Sequence, residues 1–349
     1  MKEIFGDIER WRRRGERFAL ATVVATRRSA PRPPGAKLAV SSGGELAGSV
    51  SGGCVESEVY GVAQDVLGGA ESRLLTYGIS DDLALEVGLP CGGEIDVFVE
   101  EADPELVDCL RRVLEDEQRA VLFTVVEGEG VGDRWLAVEG EETTAPVELA
   151  AEADDLFRSG RSAVLEHEGH KVFAEVIEPP PRLVVIGAVD TADALCAVAK
   201  QLGWRTIVVD ARAKFATPER IPSADELIVG WPDEVLERVR PDYATAVVVL
   251  THEDRFDVPA LKGALETEAF YIGALGSRRI QERRRERLLE AGVGEHELER
   301  ISGPSGLDIG AVSPAETAVS ILAEILARRA GRAGGPLKTA AGRIHAGVD

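Results

Sequence analysis

The sequence predicts an α/β protein with an N-terminal α+β domain, a β-rich connecting region and a C-terminal Rossmann-like domain with a parallel sheet. Three observations support this fold class. Pro179-Pro180-Pro181 forms a stiff linker, and the hydrophobic period changes abruptly after it. Before the linker, short strand signals are separated by glycine-rich turns. After it, nearly continuous apolar strands alternate with helices, which is typical of a parallel sheet covered on both faces.

The length of 349 residues allows two or three domains. We expect an N-terminal domain over 1–103, a connecting region over 104–178, a Rossmann-like domain over 182–329 and a disordered tail over 330–349.

The net charge of -21 disfavours nucleic acid as a partner, because the field of the chain repels polyanions. Without a membrane-spanning run or a secretory signal, we expect no membrane partner and a cytoplasmic location.

The N-terminal domain is predicted to open with a charged helix over 4–15. Its strand signals are Ala19 to Thr26, Lys37 to Ser41, Glu45 to Ser49, Arg73 to Tyr77 and Ile95 to Glu100. Ser42-Gly43-Gly44 suits a hairpin turn. The residues from Val55 to Val66 have helical character.

The connecting region begins with a predicted helix from Pro104 to Glu115. Its strand signals, which we interpret as an antiparallel layer, are Ala120 to Val126, Arg134 to Val138 and Lys171 to Ile177. The acidic stretch from Val147 to Asp155 separates them and is assigned no element.

The C-terminal domain has five apolar strand signals, at Leu183 to Ile186, Thr206 to Val209, Glu226 to Val229, Ala246 to Leu250 and Phe270 to Ile272. The last helix, from Pro314 to Arg329, has a clear start at Ser313, with proline at the first helical position and a reciprocal Glu316.

Two cysteines, Cys54 and Cys91, lie in glycine-rich turns, which leave room for a bulky partner to approach the thiols. Cys54 also precedes a helix, where the helix dipole favours a thiolate. The alternative is two tight turns with incidental cysteines. Cys196 is predicted to pack in a core, and Cys109 has no context that suggests reactivity. With only four cysteines the chain is not a disulfide scaffold.

A degenerate dinucleotide motif follows the first strand of the parallel sheet. Gly187 is present, but Val189 and Ala192 replace the second and third glycines, while Asp210 stands where a ribose-binding acid is expected. Asp190 is predicted to cap the helix amides itself and to repel an anion. Ordinary NAD(P) binding is therefore not expected.

A second loop at this sheet edge, which follows a buried strand and opens a helix, is better suited to a phosphate. It carries Gly273, Gly276, Ser277, Arg278 and Arg279, which offer backbone amides, a hydroxyl and two guanidiniums. The alternative is a solvated helix face, in which these arginines and those at 283, 284, 285 and 287 pair with the glutamates at 282 and 286. The loop from Gly303 to Gly310 either shapes the same crevice or is a structural turn.

Three histidines are weaker candidates. His252, in Thr251-His252-Glu253-Asp254, ends a strand at the same edge and could act as an acid, a base or a ligand. His167 and His170 are spaced for a metal, but they lack further ligands nearby.

Taken together, five segments resemble the XdhC/CoxI family of accessory proteins for xanthine and carbon monoxide dehydrogenases. They are residues 29–35, 48–56, 91–93, 271–279 and 306–311, and the resemblance extends from about Ala19 to Arg329. The chain departs from the family pattern at Gly187-Ala188-Val189-Asp190-Thr191-Ala192, where many members have Gly-x-Gly-His-x-Gly. Ser305 also stands where isoleucine is common.

The resemblance implies a maturation chaperone that binds the molybdenum cofactor, assists its sulfuration and delivers it to a xanthine dehydrogenase-type molybdoenzyme, with a cysteine desulfurase as partner. The residues that match the family are Cys54, Glu56, Cys91, Ser277, Arg278 and Arg279. These residues, together with Asp210, Gly273 and Gly276, are the ones that we expect to bind the cofactor. We expect Ser277 to Arg279 to hold the cofactor's phosphate, and Cys54 or Cys91 to face its molybdenum or exchangeable sulfur, in one shared cavity.

Other functions stay open at this point. The chain could be an NAD(P)-linked oxidoreductase that uses Asp210, a sulfurtransferase that carries a persulfide on Cys54, or a non-catalytic assembly scaffold. The sequence identifies neither the client enzyme nor the oligomeric state, a homo-oligomer included, and it does not establish turnover.

Overall fold

The computed structural model describes residues 2–28, 30–78 and 93–340. The chain divides between Pro179 and Pro180 into two compact units. No helix within the described ranges combines the length and apolar character needed to span a membrane.

The first unit begins with a five-stranded antiparallel sheet. Its elements are α1 (Phe5–Arg13), β1 (Phe18–Arg27), β2 (Lys37–Ser41), β3 (Leu46–Gly48), α2 (Glu56–Leu67), β4 (Arg73–Tyr77) and β5 (Glu94–Glu101). The strand order is β3-β2-β1-β5-β4. Helix α2 covers one face with buried Val59, Ala63 and Val66, which recur at helical spacing. The predicted strands and helix are confirmed to within a few residues.

A four-stranded antiparallel sheet completes the first unit. Its elements are α3 (Pro104–Glu115), β6 (Ala120–Glu127), β7 (Arg134–Val138), α4 (Val147–Ser159), β8 (Ala163–His167) and β9 (His170–Ile177). The order is β7-β6-β9-β8, so the antiparallel layer is confirmed.

Two elements of this layer are not in the sequence prediction. The acidic stretch forms α4, whose buried Leu149, Ala153 and Leu156 face the core while its carboxylates face solvent. Strand β8 is a short edge strand that alternates between half-buried and exposed positions.

The second unit is a six-stranded parallel sheet with helices on both faces. Its elements are β10 (Arg182–Ile186), α5 (Asp190–Gln201), β11 (Arg205–Asp210), β12 (Glu226–Val229), α6 (Pro232–Val239), β13 (Thr245–Val249), α7 (Asp254–Leu265), β14 (Tyr271–Ala274), α8 (Arg278–Glu290), α9 (Glu295–Leu298), β15 (Ile301–Ser302) and α10 (Pro314–Arg329).

The strand order β12-β11-β10-β13-β14-β15 is that of a Rossmann fold, which confirms the predicted class. Helices α5 and α10 bury one face of the sheet, and α6, α7 and α8 bury the other. The predicted start of α10 is also confirmed, because Ser313 and Glu316 form a reciprocal capping box. The loops after β10, β11, β13 and β14 meet at the carboxyl edge of the sheet, where such folds bind ligands.

Candidate functional site

The loop before α2 is organised around the carboxylate of Glu56. One oxygen, Oε1, accepts hydrogen bonds from Ser49 Oγ at 2.7 Å, the Val50 amide at 3.2 Å and the Ser51 amide at 2.9 Å. The other, Oε2, accepts from the Gly53 amide at 2.8 Å and from Ser51 Oγ. Five donors from the preceding loop therefore converge on one side chain.

This arrangement keeps Glu56 ionised. Burial by itself would raise the pKa of Glu56, but the hydrogen bonds from Ser51 and Ser49 outweigh it and lower the pKa to about 2. The remaining amides of the loop also find acceptors. Gly52 donates to Ser49 Oγ at 2.8 Å, while Cys54 and Val55 donate to Ser51 Oγ at 2.9 and 3.0 Å.

Cys54 is exposed at the end of this loop, immediately before Val55, the N-cap of α2. Among the cysteines that the structure describes, Cys109 is half-buried, and Cys196 is buried with its pKa raised to about 12 by that burial. The position of Cys54 at a helix start and the core position of Cys196 are confirmed. Cys91, like Ser29 and Gly92, lies outside the described residues.

The glycines beside Cys54 are explained by their backbone conformation. Gly52 has φ +77° and Gly53 has φ +115°, a region that side chains other than glycine rarely adopt. A Cβ atom at either position would meet nothing within 4 Å. The backbone conformation alone is therefore sufficient to explain these glycines, without a bulky partner.

The loop between β14 and α8 carries the predicted phosphate-binding residues. Ser277 is the N-cap of α8, and its Oγ accepts a hydrogen bond from the Ile280 amide at 3.4 Å. Gly276 has φ +142°. At Gly273 a Cβ atom would lie 2.6 Å from the Tyr271 ring, so no larger residue fits there without a shift.

Arg278 and Arg279 are both exposed, and neither forms an ion pair with any residue that the structure describes. Every arginine of α8 except Arg284 is exposed, as the alternative of a solvated helix face expects, but none forms an ion pair with the glutamates at 282 and 286. The later arginines of α8 pair elsewhere: Arg283 with Asp254, Arg284 with Asp257, Arg285 with Glu295, and Arg287 with Glu290 and Asp254. The first turn of α8 therefore presents two uncompensated guanidiniums.

Arg284 differs from its neighbours because its side chain is only 3% exposed. Its Nη2 lies 2.6 Å from Asp257 Oδ2, and Nη1 donates to the Leu275 carbonyl at 3.2 Å and to Gln281 Oε1 at 2.7 Å. Its Nη2 also reaches the Thr251 carbonyl at 3.3 Å. Arg284 thus ties the loop after β13 to the loop after β14.

The sequence prediction missed this role, although a signal for it exists. Arg284 follows Ile280 by four residues and precedes Leu288 by four, so all three lie on one helix face. That face packs against the sheet, because Leu288 is buried in the core.

The β10–α5 loop contradicts one prediction. Asp190 does not cap the helix: its side chain is 86% exposed, lies 3.8 Å from Arg220 and accepts no hydrogen bond from a described backbone amide. Gly187 has φ +109°, and a Cβ there would lie 2.7 Å from Thr251 Cγ2. The glycine is thus required by packing against the neighbouring strand end.

Asp210 is buried and engaged at the position expected for a ribose-binding acid. It accepts from the Ala188 amide at 2.9 Å, and from the Arg212 amide, Nε and Nη2 at 2.8, 2.9 and 2.8 Å. Burial opposes ionisation, but the bonds from Arg212 and Ala188 outweigh it and lower the pKa of Asp210. Arg212 in turn stacks on Phe215, with 4.1 Å between its guanidinium carbon and the ring centre. Both carboxylate oxygens therefore already have donors within the chain.

The surroundings of the three candidate histidines give little support to a catalytic or metal-binding role. His252 is exposed beside Thr251, whose hydroxyl is bonded to Asp257. His167 and His170 pair across the β8–β9 turn, and His170 Nδ1 accepts from the Glu129 amide at 3.0 Å. Among the described residues, no cluster of three or more His, Cys, Asp or Glu side chains could hold a metal.

Two further features lie next to the β14–α8 loop. The Ser305 amide donates to the Ala274 carbonyl at 3.0 Å, so the loop after β15 adjoins the end of β14. Alongside α8 lies a cavity of about 450 Å³, whose lining includes Arg278, Gln281, Leu288, Leu298, Ile301 and Pro304. Its volume falls in the usual range for small-molecule sites.

Comparison with known proteins gives consistent matches. Residues 11–78 match the XdhC and CoxI family, and residues 183–325 match the XdhC Rossmann domain. A probable xanthine dehydrogenase subunit of Bacillus subtilis is 31% identical over 325 residues, covering 90% of this chain and 94% of that protein. The molybdenum cofactor insertion chaperone PaoD of Escherichia coli is 27% identical over 318 residues, covering 90% and 84%. A crystal structure described as a xanthine dehydrogenase from Bacillus halodurans superposes with a TM-score of 0.73 at 27% identity, covering 96% and 97%.

Proposed function

Because the chain belongs to the XdhC/CoxI family, we propose that it binds the molybdenum cofactor and inserts it into a xanthine dehydrogenase-type molybdoenzyme. The relative PaoD, named as an insertion chaperone, supports this activity, and the name of the Bacillus subtilis relative supports the class of client. The cofactor is cargo rather than a resident group. Maturation here includes support of cofactor sulfuration, with a cysteine desulfurase as the sulfur source.

The observation that carries the proposal is the pair of uncompensated guanidiniums at the start of α8. In a chain of net charge -21, exposed arginines without partners among the described residues form a local positive site. Molybdopterin ends in a phosphate, and guanidiniums bind phosphate through paired, charge-assisted hydrogen bonds. Arg278 and Arg279, with Ser277 and the glycines at 273 and 276, would hold that phosphate.

The thiol of Cys54 or Cys91 supplies the second contact, which is to the metal centre of the cofactor. Molybdopterin holds its molybdenum through a dithiolene, so the metal centre of the cofactor accepts sulfur ligands, and a thiol is a suitable group to face it. Cys54 is exposed and available for this contact, and Cys91 is proposed for the same role on the basis of the family resemblance. Substitution of these cysteines would weaken retention of the metal-containing cargo but leave the phosphate contact in place.

The test is the cofactor content of protein purified from a molybdopterin-competent host, followed by transfer to a cofactor-free xanthine dehydrogenase. Arg278→Ala/Arg279→Ala should reduce retention about tenfold or more, because each charge-assisted contact contributes one to a few kcal/mol. Arg287→Ala is the matched control, since this exposed arginine of the same helix already has carboxylate partners. Unchanged retention and transfer in both the double arginine variant and Cys54→Ser/Cys91→Ser would refute the proposal.

A second candidate, a persulfide-carrying sulfurtransferase, is favoured by the exposure of Cys54. Incubation with a cysteine desulfurase and cysteine would then add the mass of one sulfur atom to that thiol. An NAD(P)-linked oxidoreductase is disfavoured, because Asp210 already has hydrogen-bond donors on both oxygens. Saturable binding in a titration with NADH or NADPH would reverse that judgement.

A further inference from the structure

The loop that presents Cys54 has no free backbone donor between Ser49 and Val55. The Ser49 amide donates to the Lys37 carbonyl at 2.9 Å, and each following amide reaches Glu56, Ser49 Oγ or Ser51 Oγ. The hydroxyls of Ser49 and Ser51 are also committed, because both donate to Glu56. An anion at this loop would find no N–H group to bind.

The chemistry of the loop follows from that saturation. Phosphate sites built from backbone need several amides that point outward, and here every amide already has an acceptor: the Glu56 carboxylate takes three, the Ser49 and Ser51 hydroxyls take three, and the Lys37 carbonyl takes one. The Cys54 and Val55 amides donate to the Ser51 hydroxyl, and that hydroxyl donates to Glu56. Two successive hydrogen bonds therefore connect the backbone of Cys54 to the carboxylate. Glu56 itself has both oxygens occupied.

We infer that Glu56 is a positioning residue. It holds the loop of residues 49–55 in place, so that this loop presents the Cys54 thiol to the sulfur-binding metal centre of the cofactor. This refines the expectation that Glu56 binds the cofactor directly, and it rests on the proposed function for the identity of that centre. The low pKa of Glu56 means that the carboxylate keeps this role across the neutral pH range.

The first experiment measures amide hydrogen exchange in residues 49–55 of the full chain. In Glu56→Gln one acceptor oxygen becomes an NH₂ group facing other donors, so exchange should be at least about tenfold faster in this segment. Glu58→Gln is the matched control: it removes the same charge from the same helix, but Glu58 is exposed and accepts none of the loop's hydrogen bonds. Equal exchange in wild type and Glu56→Gln would overturn the inference.

The second experiment is a double-mutant cycle on cofactor retention, with Glu56→Gln, Cys54→Ser and the double variant. If Glu56 acts through Cys54, Glu56→Gln lowers retention about tenfold, and the double variant retains as much as Cys54→Ser. Additive losses would show that Glu56 contacts the cargo itself and would overturn the inference.

A folding defect and a failure of the proposed function must each be told apart from a failure of the inference about Glu56. Ser51→Ala keeps the carboxylate but removes the bridge to the Cys54 and Val55 amides, so it should reproduce the faster exchange in this segment. A cooperative melting transition of the same variant shows that the rest of the chain stays folded. If Cys54→Ser retains the cofactor fully, the proposed role of the thiol fails, while the exchange result still decides whether Glu56 positions the loop.

Discussion

Two loops of this protein are each held in place by one charged side chain, and the hydrogen-bond partners of that side chain come from the chain itself. Glu56 accepts five hydrogen bonds from the segment before it, and Arg284 joins the loops after β13 and β14. In each case the functional candidates, Cys54 and Arg278, are exposed and next to a fixed support. A rigid support lowers the ordering cost of binding a ligand.

Loss of Arg284 should be among the most destabilising single changes in the second unit. Arg284→Met leaves Asp257 buried without its guanidinium partner, and breaking a buried pair in this way costs about 3–5 kcal/mol. Urea unfolding followed by circular dichroism measures the difference. Arg287→Ala, which breaks only exposed pairs, should change stability by about 0–1 kcal/mol. A loss for Arg284→Met as small as that of the control would contradict this account.

The limits of the sequence prediction at this scale have a physical cause. It places Cys54 and Ser277 correctly at helix starts, because capping and turn residues are local signals. Its prediction that Asp190 caps α5 is wrong, and it does not foresee that Asp210 has its donors within the chain, because the direction of a carboxylate depends on the three-dimensional arrangement of its partners. Asp190 points to solvent, and Asp210 is engaged by Ala188 and Arg212.

Elements are predicted well wherever the apolar pattern is strong. The buried strands of the parallel sheet were found from their continuous apolar runs, and their order is that of the Rossmann fold. Helix α4 was missed because its many carboxylates hide the spacing of Leu149, Ala153 and Leu156. Strand β8 was missed because only half of its side chains approach a core.

Gly53, next to Cys54, and Gly61, inside α2, should respond in opposite ways to the same substitution. Gly53→Ala forces a side chain into φ +115° and should cost about 1 kcal/mol or more, although a Cβ atom there meets nothing within 4 Å. Gly61→Ala, at an exposed position inside α2 with equally open space, should stabilise by about 0.5–1 kcal/mol.

Thermal and urea unfolding of the two glycine variants provide the measurement, and the rate of Cys54 alkylation reports the loop directly. Only Gly53→Ala should change that rate, because Gly61 lies away from the loop in sequence and in the helix. Stabilisation by both variants would show that open space, and not backbone conformation, governs these positions.

At the scale of the whole molecule, the division between Pro179 and Pro180 coincides with separate hydrophobic cores. Each buried cluster among the described residues draws its members from one unit alone. The second unit has two such clusters, one on each face of its sheet. A unit with its own complete core can fold by itself.

We therefore expect fragments 1–179 and 180–349 each to unfold cooperatively in urea when produced separately. Arg284→Met should destabilise fragment 180–349 by about as much as it does the full chain, roughly 3–5 kcal/mol. Fragment 1–169 is the control, because it lacks β9, which pairs with both β6 and β8, and it should show no cooperative transition. A fragment 180–349 without a cooperative transition would mean that this half of the chain depends on the other for its core, and that the proline run is not a domain boundary.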